Sequence, residues 1–264
     1  MSKKEKLVYE YQDELNDDFA NNNIKTKKIA NNYKYINKSW LFRFNAFWLR
    51  YLVGIPCLWI ANTFIFRPKF VNKKLLKSAK KNGYFIYANH VLPYDPVMIP
   101  VMVNTSKKCL ILAGPDLFSI NGFVSWIVRH FYAIPVPNND ITMIENFNEC
   151  ISYYINKRYR VLIYPEAHIW PYYTGIRKFK SASFRYPVID NVPILTMTTT
   201  FKKRKGNRKP KPVIYIDGPF YPDESLSSTH DKIEDLAQKA YETMKYRSSI
   251  KTNYSYIKYV KKSD

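Results

Sequence analysis

The residues best suited to chemistry lie in the stretch GYFIYANHVLPYDP, Gly83 to Pro96. A short apolar run, Tyr84 to Ala88, has the length and composition of a buried strand. It leads into Asn89-His90, and Asp95 follows five residues after the histidine. A turn across that spacing brings the carboxylate back to the imidazole. A carboxylate on one ring nitrogen fixes the tautomer and leaves the other nitrogen free as a base. Taken alone, a His followed by an Asp at this spacing is common and more often structural than catalytic.

Further groups lie where they can join that pair. Tyr164-Pro165-Glu166 places a carboxylate directly after the expected strand 160–164. Lys178-Phe179-Lys180-Ser181-Ala182 follows in a loop, and Val192-Pro193-Ile194 opens another strand. The loops at the carboxyl ends of neighbouring parallel strands converge, which is where open α/β sheets build sites. His168 stands open between two readings: it lines the site, or it packs against Trp170. The chain has no GxSxG elbow, Gly-rich phosphate loop, HExxH or dinucleotide fingerprint. With 7 glycines in all, anions must be held by side chains. The three cysteines, Cys57, Cys109 and Cys150, match neither a zinc site nor a disulfide framework, so free thiols and no metal are expected.

The elements that must position these groups alternate. Strands are expected at 84–88, 109–113, 131–136, 160–164, 193–200 and 212–217, with helices at 96–103, 117–129, 141–157 and about 178–188. That order predicts an α/β domain with a largely parallel sheet. An amphipathic run at 230–247 reads as a packing helix behind a capping Ser228. The chain divides into a mobile polar extension (1–38), membrane-associated helices with a basic segment (39–82), a catalytic domain (83–250) and a basic tail (251–264).

Charge and aromatic content indicate the surroundings. The net charge is +21, and aromatics make up 17% of the 264 residues. From Phe19 to Tyr94 there are fourteen Lys or Arg and no Asp or Glu. Such a balance calls for an anionic partner, and Trp and Tyr favour bilayer interfaces. The uncharged run Tyr51 to Phe66 would span roughly 24 Å as helix, against a hydrocarbon core of about 30 Å. Gly54 and Pro56 interrupt it, so two short helices dipping into one leaflet are expected. The N-terminus has no apolar core of signal-peptide length, which points to the cytoplasmic face of the membrane. A further basic run, Lys202 to Lys211, falls between two strands; it reads as a nucleic-acid patch, a headgroup contact or a solvated hairpin tip, and taken alone the last reading leads.

The order of these blocks resembles one family. NHVLPYD is similar to the Asn-His-x4-Asp block of the lysophospholipid or 1-acylglycerol-3-phosphate acyltransferases (the glycerolipid acyltransferases). YPEA at 164–167, FKSAS at 179–183 and Val192-Pro193-Ile194 resemble that family's later blocks, in the same order over residues 83–200. The resemblance implies a glycerolipid acyltransferase-like α/β fold with a mostly parallel central sheet flanked by helices, preceded by a membrane-associated helix pair. It implies fatty-acyl transfer from acyl-CoA or acyl carrier protein to a lysolipid hydroxyl, with no cofactor. His90 would be the general base, Asp95 its orienting partner, and Glu166 the residue holding the acceptor. Asn89 and Lys180 fall on the substrate side, with Lys180 meeting a phosphate.

The sequence departs from the family in one consistent way. Ala167-His168-Ile169 stands where Gly-Thr-Arg is usual, and the arginine that should follow Tyr132 to Val136 is also missing. Arg177, Lys178 and Lys180 are the nearby cations that would substitute in holding the acceptor. The partners expected are therefore an anionic membrane surface, a lysophospholipid and an acyl thioester, with no nucleic acid. Two rivals remain: an acyltransferase for another lysolipid, glycolipid or polyol, and a catalytically silent basic module binding membrane or nucleic acid. The intact His90 and Asp95 argue against silence.

Overall fold

The computed structural model describes residues 7–20, 25–78, 83–95, 108–138, 140–206 and 208–262. The expected helix at 96–103 lies outside the described residues. The centre is a seven-stranded sheet. Its strands are β2 (Lys69–Val71), β3 (Tyr84–Ala88), β4 (Cys109–Ala113), β5 (Ala133–Pro135), β6 (Arg160–Ile163), β7 (Ile194–Lys202) and β8 (Lys211–Phe220), in the spatial order β2-β8-β7-β3-β6-β4-β5. All pairs are parallel except the β7–β8 hairpin. Every residue of β3 and β6 is buried. Strands covered on both faces read as unbroken apolar runs, which is why 84–88 is legible in the sequence.

Alternate side chains of β3 feed two cores. Phe85 and Tyr87 join a cluster with the helix Ile141–Asn156, which contributes Met143, Phe147 and Ile151, and the helix Thr229–Ser248, which contributes Leu236 and Ala240. Tyr84, Ile86 and Ala88 join the opposite cluster with Leu162, Leu195 and Ile216. The segment expected as a helix at 178–188 is a 3₁₀ turn, Ser181–Phe184, followed by the short helix Arg185–Ile189.

The N-terminal apolar segment is one helix, α1 (Trp40–Phe66), of 27 residues, about 40 Å long. The expected break at Gly54-Ile55-Pro56 is absent. Two stretches of wider π turns, Leu49–Gly54 and Ala61–Phe66, explain why. Proline lacks an N–H, and its ring crowds the carbonyl four residues back. A π stretch immediately before Pro56 shifts that carbonyl and keeps the helix running. The wider turns also set which face packs. Residues spaced by four, Phe42, Ala46, Arg50, Gly54, Leu58, Asn62 and Phe66, are all buried or half-buried. Alpha turns alone, at 3.6 residues, would rotate that spacing off one face. Gly54 sits where the helix approaches closest: an added Cβ would lie 2.4 Å from the Phe131 ring. The rest of α1 exposes Leu41, Phe44, Trp48, Leu52, Ile60 and Phe64. α1 is long and apolar enough to cross a membrane.

The two segments expected as a mobile extension and a basic tail meet in a small parallel sheet. β1 (Val8–Tyr11) pairs with β9 (Lys258–Lys261), with Tyr9 opposite Tyr259. Their aromatic rings explain the docking. Tyr259 stacks on Trp170 with centroids 4.8 Å apart, and Phe19 meets the same indole edge-on at 5.2 Å. The indole Nε1–H donates to the Asp17 carbonyl at 2.8 Å. Trp170 is fully buried. Trp170→Ala is expected to cost about 3–5 kcal/mol in denaturant unfolding. It should also release both termini to limited proteolysis before the sheet is cut.

Candidate active site

The site begins where β3 ends. Asn89 is clamped to β7 by two bonds: its Nδ2 donates to the Thr199 carbonyl at 3.0 Å, and the Thr199 amide donates to its Oδ1 at 2.7 Å. Asn89 is therefore a strap between strands, and its amide is occupied by backbone rather than facing a substrate. The next five residues turn back on themselves. Asp95 Oδ2 accepts from the amides of Val91 at 3.1 Å and Leu92 at 2.8 Å, which fixes the carboxylate without help from the imidazole. His90 Nδ1 lies 3.9 Å from that same oxygen. This is an electrostatic contact longer than a hydrogen bond. Asp95 is wholly buried, while the His90 side chain keeps 17% exposure. Nδ1 itself is buried and, among the described residues, has no hydrogen-bond partner. The ring is thus open on the side away from Asp95. Its face stacks on Tyr164 at 4.3 Å.

Glu166 completes the frame from the neighbouring strand. Its Oε2 accepts from the His90 amide at 3.3 Å and from Arg177 Nη2 at 3.4 Å. Its Oε1 accepts from the Arg177 amide at 3.0 Å. Arg177 in turn donates to the carbonyls of His168 and of Glu14, the latter at 3.4 Å. Its guanidinium carbon lies 5.0 Å from the Trp170 ring centre. Two expectations change here. Arg177 is not placed to grip an acceptor phosphate, because it is buried and its Nη1 and Nη2 are taken by protein oxygens, while its Nε has no hydrogen-bond partner among the described residues. Glu166 is likewise buried, and its two oxygens are taken by the His90 amide and by Arg177.

The other cations stand apart. Lys178 and Lys180 are exposed, and among the described residues neither forms an ion pair with the His90 group. The block around Lys180 has a packing role. Phe179 meets Phe184 and Tyr241, and the Ser183 carbonyl accepts from the Tyr87 hydroxyl at 2.8 Å. Among the described residues the His168 ring makes no stack with Trp170; its Nδ1 lies 3.8 Å from Asp18 Oδ2. Among the described residues, no cluster of three or more His, Cys, Asp or Glu is placed to hold a metal ion.

Several contributors carry no readable signal in the sequence. The Trp170 amide donates to the His90 carbonyl at 3.1 Å, and the Tyr172 amide to that of Val91 at 2.8 Å. These backbone bonds lace the 169–177 loop to the base. Phe66, the last residue of α1, stacks on Tyr94 of the His90 loop at 3.9 Å. Tyr164 was visible as part of YPEA, but its role as the platform under the imidazole follows only from the register of β3 with β6, which pairs Tyr87 with Ile163.

Burial pushes both carboxyls, Asp95 and Glu166, above the usual range. The His90 ring and two amides oppose the rise at Asp95, and Arg177 opposes it at Glu166. A raised carboxyl stabilises the fold most below its unfolded value, about pH 4, and that contribution is lost as pH rises through the folded value. Asp95→Asn should therefore melt no lower than the parent near pH 7, with the difference in its favour shrinking toward about pH 4. Arg177→Met should cost about 3–5 kcal/mol, because it strands the Glu166 carboxylate. Thermal melts across pH separate the two effects.

Comparison with known proteins agrees with this geometry. A family model described as Acyltransferase matches residues 67–200. The crystal structure of the 1-acyl-sn-glycerophosphate (LPA) acyltransferase PlsC from Thermotoga maritima is similar in fold, with a TM-score of 0.56. It is 17% identical, and the match covers 79% of this chain and 88% of that one. No curated protein matches in sequence. The matched family region takes in more than half of the chain and includes His90, Asp95 and Glu166, so this protein belongs to the acyltransferase family.

Proposed function

We propose that this acyltransferase moves a fatty acyl group from a thioester, acyl-CoA or acyl carrier protein, to the free hydroxyl of a lysophospholipid. The first acceptor to consider is 1-acylglycerol-3-phosphate, giving phosphatidate. The observation that carries the reading is the His90–Asp95 pair, 3.9 Å apart, with the carboxylate buried and the ring open on its far side. Asp95 keeps the proton on Nδ1, so Nε2 is the basic nitrogen. As the acceptor oxygen attacks the thioester carbonyl, its proton passes to Nε2, and the imidazolium forms beside a carboxylate already held in place. Collapse of the tetrahedral adduct breaks the C–S bond, and the thiolate leaves with the proton from Nε2. The substrate hydroxyl takes the place that a serine holds in a hydrolase triad, so no acyl-enzyme is needed. Glu166 and Asn89 act through the backbone: one holds the His90 amide and the other ties its strand to β7.

The membrane side of the proposal rests on α1. Its exposed apolar face would lie in the bilayer at the cytoplasmic surface, with Phe66 delivering the helix end to Tyr94 beside the base. A lipid acceptor would then reach His90 without leaving the interface. The engagement of Arg177 favours a second reading of the acceptor alone: a lysolipid, glycolipid or polyol with a less anionic headgroup.

Two assays test these statements. Purified protein given labelled 1-acylglycerol-3-phosphate and either donor should form phosphatidate, and His90→Ala should lower the rate by about 10²- to 10⁴-fold. Failure of every lysolipid with both donors would overturn the enzyme reading, and success with a different acceptor alone would select the second. Flotation with vesicles should survive high salt, since insertion of α1 is not screened as surface charge is.

A further inference from the structure

The β7–β8 hairpin carries seven Lys or Arg in its ten residues from Lys202 to Lys211, and no Asp or Glu occurs between Asp190 and Asp217. Lys202, Lys203, Lys205, Arg208 and Lys209 are exposed. Among the described residues, none of these cations pairs with a carboxylate. A solvated turn does not need such a concentration, which repels itself unless an anion neutralises it.

The position of the hairpin identifies the anion. Met197 lies opposite Ala88, the last residue of β3, so β7 continues five residues further to Lys202, about 16 Å beyond the strand that carries the base. The hairpin therefore projects from the carboxyl edge of the sheet, the edge that holds His90. The apolar helix ends at the same edge. β2 follows α1 directly and runs parallel to β8 with Lys69 opposite Val213, which sets Arg67 and Lys69 beside the root of the hairpin. The root is also pinned: the Tyr254 amide donates to the Phe201 carbonyl at 2.7 Å, and the Phe201 amide donates to Asn253 Oδ1 at 3.0 Å. Cations held at the end of an exposed apolar helix occupy the level of lipid headgroups.

We propose that the Lys202–Lys211 hairpin is a second membrane contact that rests on anionic lipid headgroups at the site edge while α1 occupies the apolar layer. The inference builds on the membrane reading of α1 but not on the identity of the acceptor. Together the two contacts would fix the tilt of the domain so that the His90 opening faces the lipid surface.

The test is flotation of the purified full chain with vesicles of phosphatidylcholine alone or of phosphatidylcholine with phosphatidylglycerol. The parent should prefer the anionic vesicles. Each surface cation is worth about fivefold in partition, so combining Lys202→Gln, Lys203→Gln, Lys205→Gln, Arg208→Gln and Lys209→Gln should reduce that preference on the order of 10²-fold or more. Binding to neutral vesicles, and KM for the acyl donor in neutral detergent micelles, should stay as in the parent. An unchanged anionic preference in the variant overturns the proposal, as does a parent without any preference. A raised donor KM with unchanged flotation also overturns it and assigns the hairpin to the donor. A hairpin-dependent preference in a protein that acylates no lysolipid would uphold this contact and reject the proposed reaction.

Discussion

The buried carboxylate of Glu166 is the contact on which the site depends. Its two oxygens take the amide of His90 from one strand loop, and the amide and guanidinium of Arg177 from another. Through Arg177 the same carboxylate reaches Glu14 and the Trp170 ring, and through them the paired ends of the chain. A charge buried this completely is costly unless it is matched. Here every partner that matches it is also an element that must not move if the base is to stay in place. The ion pair therefore contributes placement more than net stability. The electrostatic cost of burial is visible in the upward shift of the Glu166 carboxyl that Arg177 only opposes.

Asp95 follows the same logic on a smaller scale. Two backbone amides of the turn hold its carboxylate before the imidazole is considered. The carboxylate beside His90 is thus fixed by a local turn, while the strand that leads to His90 is fixed by the Asn89 clamp to β7. His90 is the one member of the group left partly open, as a residue must be if it is to meet a substrate.

The long helix connects this frame to the surroundings. Alternation of α and π turns keeps a spacing of four residues on the packed face and leaves the remaining face apolar and exposed. The helix ends in a ring stack against the loop that carries the base. The apolar face, the site and the basic hairpin all come to one edge of the sheet because β2 and β7 both reach that edge. Of the nearby cations that would substitute for the missing arginines, Arg177 is committed to structure, while Lys178 and Lys180 are exposed.

Much of this was legible in the chain itself. Continuous apolar runs such as Tyr84–Ala88 declare buried parallel strands because both faces are covered. A histidine and a carboxylate within one turn declare their pairing because the contact is local. The order of four short blocks was enough to indicate the family. What the sequence could not reveal were contacts between residues far apart in it. Nothing in residues 8–11 and 258–261 announces that they pair, since strand pairing at that separation depends on the domain that brings them together. Nothing around Arg177 marks it as the partner of Glu166 rather than of a phosphate. An arginine in a loop is free or committed according to its burial, and only the packing of Trp170, the N-terminal segment and the β6 loop decided that. The helix was misread for a related reason: proline and glycine predict a break from local backbone rules, whereas π turns packed against Phe131 and Tyr94 kept the helix continuous. Sequence determined the strands, His90 and its local contact with Asp95; tertiary structure decided which charges are buried, because desolvation and long-range packing have no local signature.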